Sequence, residues 1–527
     1  MRLVEIMSRP FARLSGLALC MTMFLPAGAQ GRSPDREERK HRMMEMSPAP
    51  AMAYDFAADS MGATPGGAQD IAFFRDRVAA GEVPHPNTFT PEGLFSEHDL
   101  PLVARTKCMQ TLCAIGEAMP AALLVQPEVR HVAQLGFSSG LDPKTFKRAP
   151  LHLVAVIDKS GSMSGQPLDL VKESLIKVTS QMGPDDELSI VLYGDRSHVY
   201  MQPTRVTDRA AIGRQIAGIV SSGSTNMEEG LAVGFQLASS RRFKGSTRVM
   251  LFTDERPNVG NTDAKSFMGM ARDASRSGVG MTTVGVGVQF GAELATAISS
   301  VRGGNLFFFP DAGRMQKVFE EDFDTMVTEL AHDMKLELRP ARGLKIVGVY
   351  GIPGKALKWL DGGAISVSVE TIFLSRKKGA IFIALGSDTR PGLPETQVAP
   401  GSAVANVQLA YLERSGQAVK TQVELTSVLA SAASEGLVRG RLLVDQATTL
   451  TRAAELHHEK NNQEGAYQAV HALASMFRQT VDPTLADERT LVFNLERTLA
   501  KLSGHAGEPA VASEAVDRVS GLPHRRG

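Results

Sequence analysis

An α/β fold is what the sequence predicts: a doubly wound, mostly parallel sheet with an accessory β-sandwich domain and a C-terminal helical segment. Three patterns predict it. Between residues 149 and 334, apolar runs alternate with amphipathic stretches of helical period, as they do when β-α units wind a parallel sheet. From 335 to 430, short apolar runs are separated by Gly-rich turns, the mark of an antiparallel sandwich. From 431 to 503 the apolar period becomes helical.

Taken in order, residues 1–29 read as a secretory signal. Arg2, Arg9 and Arg13 give a basic start, 14–25 is an apolar run too short to span a bilayer, and Ala27-Gly28-Ala29 is a small-x-small cleavage site. Lipidation at Cys20 is the alternative; Leu19, bulky where a small residue is wanted, counts against it. Residues 30–69, charged and then rich in Ala, Pro, Gly and Met, read as a disordered linker. In the accessory segment 70–148, a helix is expected over 70–81, a turn over 82–87, and strands over 100–107, 110–118 and 121–135.

The domain at 149–334 should open with a buried strand at 151–157 and a helix at 166–182. Strands follow at 187–193, 199–202, 247–253, 281–288 and 305–310. Helices are expected to Val220 after a Thr207 or Asp208 cap, over 227–240, from Thr262 to Ser277, over 292–301, and finally over 312–334. Strands at 336–338, 345–350, 364–374, 380–385, 403–413 and 418–427 would build the sandwich. Helices at 435–460, 462–478 and 487–502 would follow, before a disordered tail at 504–527.

The chemistry concentrates in Asp158-Lys159-Ser160-Gly161-Ser162, between the first buried strand and its helix. One carboxylate and two hydroxyls at a strand's C-terminal edge are hard oxygen ligands, suited to Mg²⁺ or Mn²⁺. A helix-capping turn is the plainer reading of the same residues.

That loop resembles the metal-ion-dependent adhesion site (MIDAS) of a von Willebrand factor A domain. The family's two further loops have counterparts here: Gly223-Ser224-Thr225-Asn226, with Thr225 matching the metal-site threonine, and Phe252-Thr253-Asp254-Glu255, with Asp254 matching the distal aspartate. Glu255 stands where the family more often has Gly. The resemblance implies that Ser160 and Ser162 ligate directly, Thr225 directly or through water, and Asp158 and Asp254 mostly through water. It further implies a non-enzymatic protein that binds a partner's Asp or Glu carboxylate, with loops 163–167, 222–228 and 255–262 setting specificity. The helix-Gly-Pro segment at 70–87 is similar to one upstream of the A domain in a group of exported bacterial proteins, where flanking segments build an accessory domain.

Composition narrows the partner. The 57 Lys plus Arg balance 57 Asp plus Glu and no basic stripe stands out, which argues against nucleic acid. Beyond the signal two cysteines remain, Cys108 and Cys113. In an oxidising compartment a disulfide between them is plausible, with two separately buried thiols as the alternative. Other signals carry little. Gly285 to Gly291 is spaced one residue too long for a dinucleotide loop. Ser174-Leu175-Ile176-Lys177 matches S-x-x-K inside a helix, without its companion motifs. His457-His458-Glu459 lacks the zinc-peptidase spacing, Asp185-Asp186-Glu187 reads as a solvated turn, and Phe307-Phe308-Phe309 reads as a buried strand near the sheet edge. The alternative function is an envelope scaffold or assembly factor binding through its sandwich and helical tail, the metal being structural. An ATPase-coupled A domain and a hydrolase are further readings.

Overall fold

The computed structural model describes residues 61–64, 71–88, 90–103, 107–142, 145–240, 242–254, 264–286, 301–309, 315, 319, 323–352, 356–375, 380–388 and 398–505. The signal, most of the linker and tail, the loop 255–262 and the helix expected at 292–301 lie outside them, save for single residues at their margins.

The N-terminal part holds β1 (Met61–Thr64), α1 (Ala72–Ala79), α2 (Pro91–Ser96), β2 (Cys113–Pro120) and β3 (Val129–Ser139). Strand β1 falls in a stretch expected to be linker. No strand forms at 100–103, and the turn at 121–128 lies where a strand was expected to begin. Thr90 starts α2, its hydroxyl accepting the Gly93 amide, with Pro91 in the first turn.

The doubly wound domain follows: β4 (Leu151–Asp158), α3 (Gln166–Gln181), β5 (Glu187–Tyr193), β6 (His198–Arg205), α4 (Arg209–Ala217), α5 (Met227–Ser239), β7 (Ser246–Thr253), α6 (Ala264–Arg276), β8 (Val279–Val286), β9 (Gly304–Phe309) and α7 (Phe323–Val327). Its sheet runs β6-β5-β4-β7-β8-β9, parallel except for the antiparallel edge β6. Every residue of β4, β5 and β8 is buried. A parallel sheet covered by helices on both faces demands such unbroken apolar runs. One face packs Leu153, Ala155 and Ile157 against Val171, Leu175, Ile212 and Phe323; the other packs Val154 and Val156 against Leu231 and Phe235.

The third part comprises β10 (Glu329–Pro340), β11 (Leu344–Tyr350), β12 (Leu357–Trp359), β13 (Ile365–Ser375), β14 (Ala380–Ser387), β15 (Ala403–Glu413), β16 (Ala418–Thr426), α8 (Glu435–His458), α9 (Gln463–Gln479) and α10 (Ala486–Leu502). The helix expected to reach Met334 stops at Val327, and β10 begins two residues later. Leu330 and Met334 stand four apart, as on one face of a helix, but both lie within β10, and Asp333, at φ 51°, marks the bulge where the register shifts.

The accessory segment and the sandwich are not separate. Strand β3 pairs with β14, setting Ala133 against Ile383, and β1 bridges β3 to β13. One ten-stranded sheet is thus built from both flanks, and the doubly wound domain is an insertion between β3 and β10. The sheet folds over a shared core, with Leu135, Phe137, Ile381 and Ile383 meeting Leu336, Val367, Val407 and Leu425. Alternate residues of β14, Ala380, Phe382 and Ala384, face the other way, onto α8 and its neighbours. Buried Glu488 on α10 ties that helical layer to the N-terminal part through Arg75 and His98. Among the described residues no helix is long and apolar enough to cross a membrane.

Candidate metal centre

The C-terminal edges of β4 and β7 place Asp158 and Asp254 on neighbouring strands. After Asp158 the chain turns at once. The Ser160 amide donates to Asp158 Oδ1 at 2.8 Å, and the Met163 amide donates to the Ser160 carbonyl at 3.2 Å. Met163, fully buried, plugs the turn into the core beneath. Helix α3 then starts at Gly165, with no side chain capping it. The oxygens of Asp158, Ser160 and Ser162 are therefore not spent on the helix, which removes the capping explanation for them.

Those oxygens meet one another instead. Ser160 Oγ lies 2.9 Å from Ser162 Oγ, which donates to Asp254 Oδ1 at 3.0 Å. Asp158 is fully buried, and the Thr253 hydroxyl donates to its Oδ2 at 3.3 Å. Ser162 is exposed, so the chain of oxygens runs from the interior to solvent. Thr225 directly precedes Asn226, the cap of α5. Its loop is held to the first by the Gly161 amide, which donates to the Gly223 carbonyl at 3.0 Å. Gly223 sits at φ 88°, where a Cβ would come within 2.6 Å of Asp195 Oδ2. Four of the five expected residues are thus linked by hydrogen bonds. Thr225 stands on the adjoining loop, and no hydrogen bond joins its side chain to the other four.

Electrostatics set Asp158 apart. Burial pushes its carboxyl up, against the pull of the Ser160 amide and the Thr253 hydroxyl. Beside it, burial and then the charge of Asp158 push the Tyr193 hydroxyl well up. Among the described residues no cation pairs with Asp158. A buried carboxylate surrounded only by neutral donors, opening through two hydroxyls to a second carboxylate, fits a hard divalent cation. The residues that would hold it are Ser160, Ser162 and Thr225, with Asp158 and Asp254 orienting them.

Lys159, Tyr193 and Asp195 also belong to this edge and were missed in the sequence. Asp195 accepts from the Ser224 amide and hydroxyl at 2.9 and 2.7 Å, bonds that hold its carboxyl below the usual range. Its position just past β5, on the same edge as Asp158 and Asp254, was the available signal. Cys108 and Cys113 lie far from this centre in the chain, joined by a disulfide with Cα atoms 5.8 Å apart. The turn read as solvated is corrected. Asp186 is buried at the opposite edge, where Arg148 Nη1 and Nη2 donate to its two oxygens at 2.8 and 2.5 Å. A serine–histidine pair does occur, His152 Nε2 and Ser189 Oγ at 2.9 Å, but both side chains are fully buried, out of reach of a substrate.

The class defined so far is a doubly wound α/β domain that gathers hydroxyl and carboxylate oxygens at its strand C-termini. Residues 152–321 match the family model of the von Willebrand factor type A domain. The chain is similar to the uncharacterized protein YfbK of Escherichia coli, 32% identical over 205 residues that cover 38% of this chain and 36% of that one. The uncharacterized protein sll0103 of Synechocystis is 30% identical over 204 residues, 38% of this chain and 48% of that one. A human inter-alpha-trypsin inhibitor heavy chain is 29% identical over 154 residues, 28% and 17% of the two chains. These matches therefore span less than half the length of each relative. Among solved structures, a von Willebrand factor type A protein from Catenulispora acidiphila aligns at 16% identity with a TM-score of 0.43, covering 75% of this chain and 87% of that one.

Proposed function

We propose that this chain is an exported, non-enzymatic, divalent-cation-dependent protein-binding protein of the adhesion type, which captures an acidic side chain of a partner at the site of Ser160, Ser162, Thr225, Asp158 and Asp254. The observation that carries the reading is buried Asp158, without a cationic partner among the described residues, continuing through Ser160 and Ser162 to Asp254 at the open edge of the sheet. When bound there, Mg²⁺ or Mn²⁺ would offer a coordination position to an outside carboxylate, because hydroxyl ligands cancel little of its charge. Ser160 and Ser162 would supply neutral oxygens, while Asp158 and Asp254 orient those hydroxyls and balance charge from behind. Export to the periplasm or cell surface is supported by the signal-like residues 1–29 and by the Cys108–Cys113 disulfide, a bond favoured in oxidising compartments.

The test is affinity capture from envelope extract in Mg²⁺ and in EDTA, with the wild type and Ser160→Ala/Ser162→Ala side by side. Retention of a partner only by the wild type in Mg²⁺ is expected. A partner held equally in EDTA would move the function to the scaffold reading. That second reading has its own observation: Trp359, the sole tryptophan, is 56% exposed on the short strand β12, away from the oxygen cluster.

A further inference from the structure

Lys159 stands between Asp158 and Ser160, and its half-buried side chain reaches over to the neighbouring loop at the surface. Nζ donates to the Ser222 carbonyl at 3.0 Å and to the Ser222 hydroxyl at 2.8 Å. Its backbone carbonyl accepts the Ser222 amide at 2.6 Å, and its own amide donates to the Tyr193 carbonyl at 3.0 Å. One residue thus makes three bonds to Ser222 and a fourth to the end of β5. The path of the side chain is built in: a Cβ at Gly194 would lie 2.9 Å from both Lys159 Nζ and the Ser222 carbonyl.

Ser222 opens the loop that carries Thr225. Further along, the loop is held at Gly223 by Gly161, at Ser224 by Asp195, and at Asn226, whose amide donates to the Gly194 carbonyl at 3.1 Å. Among the described residues the Thr225 side chain has no hydrogen-bond partner, so the place of its hydroxyl is set by the backbone around it. At the entry to that loop, the side-chain bonds to Ser222 come from the lysine.

We infer that Lys159 is the positioning residue of this centre: it pins the Ser222 end of the loop so that Thr225 stands beside Ser160 and Ser162. The consequence for cation affinity rests on the metal reading above; the pinning itself does not. Both hydrogen-bond acceptors of the ammonium are neutral, and the carboxylate that its charge favours nearby is Asp195, which holds the same loop at Ser224.

Two measurements on the full chain separate these levels. The first is amide hydrogen exchange of the metal-free protein over 222–226, in the wild type, Lys159→Met and Lys159→Arg. Losing charged hydrogen bonds should speed exchange there about tenfold in Lys159→Met and leave 151–158 unchanged. Lys159→Arg, which keeps charge and donors, should restore most of the protection. The second is Mn²⁺ calorimetry. Affinity should fall about tenfold in Lys159→Met, and the substitution should add nothing in a Thr225→Ala background if both act through one loop. Unchanged exchange at 222–226 in Lys159→Met overturns the inference whatever the metal does. Additive losses in the double variant overturn it too, since the lysine would then act apart from Thr225. A wild type that binds no Mn²⁺ sinks the metal reading and leaves exchange to decide the pinning. Should Lys159→Met not fold, Ser222→Ala deletes one acceptor, and faster exchange of the same amides is the supporting result; no change counts against the inference.

Discussion

The two edges of the inserted sheet spend their charged residues in opposite ways. At the C-terminal edge, Asp158 is buried among neutral donors, and Ser162 and Asp254 open to solvent. At the N-terminal edge two arginines are matched by carboxylates. Arg148, where the chain enters the domain, holds Asp186 and also Asp324 of α7. Arg248, fully buried at the start of β7, pairs with Glu329 where the chain leaves, donates to the carbonyls of Met281 and Gly303 at 3.0 Å, and lies over Phe373 of the sandwich. Arginine–carboxylate pairs mark a joint; under the proposed function, a buried carboxylate with only neutral partners among the described residues marks a binding place. The same residue types serve both, and only the partners distinguish them.

That contrast can be broken. The largest expected effect is at the joint. Arg248→Met should cost about 3 kcal/mol of stability, because carbonyls and Glu329 lose a buried cation. A denaturant midpoint unmoved by the change would show that the pairing holds nothing, whereas Mn²⁺ binding by the folded fraction should persist. Next comes the site: Ser160→Ala/Ser162→Ala should weaken Mn²⁺ binding about a hundredfold or more while shifting stability by less than about 1 kcal/mol. Calorimetry that finds the two proteins equal would remove these serines from the centre. Third, removing both Cys108 and Cys113 should cost about 2 kcal/mol, as befits a short closed loop, and leave Mn²⁺ affinity alone; a loss of affinity would couple the sandwich to the site.

The smallest effect sharpens the comparison by pH. Burial alone would raise the Asp186 carboxyl, but Arg148 and the amides of Leu151 and Gly183 outweigh it and hold the carboxyl below its ordinary value. A depressed folded-state value means that its stabilisation is present above about pH 4, the unfolded carboxylate range, and is lost as pH falls through the folded value. Asp186→Asn should therefore be less stable than wild type at neutral pH and converge on it in acid. Parallel stability curves would discard the ion pair as a contributor.

Much of the inserted domain was legible because its signals are local. The run from Leu151 to Ile157, short and closed by turn residues, reads as a strand covered on both sides, and three loops in order carry the hydroxyls and carboxylates. The C-terminal helices were legible for the same reason: Ser434 and Asn462 cap α8 and α9, and Asn461, at φ 49°, turns the chain between them. What was not legible is pairing at long range. Nothing near Ala133 says that Ile383 will lie beside it, so the accessory segment and sandwich read as neighbours rather than as one sheet. Asp186 misled for a related reason: its partner Arg148 is remote in sequence, and an acidic turn seen alone looks solvated. Lys159 was unreadable because its value lies in Ser222, on another loop.

The insertion has a mechanical consequence. Entry at Arg148 and exit at Glu329 lie at one end of the strands, and the oxygen cluster lies at the other. A partner pulling on the cluster while the sandwich is anchored would load β4 and β7 lengthwise. Their hydrogen bonds to neighbouring strands would then be sheared together rather than opened one at a time, so the tether would resist force as a rope does, not as a zipper.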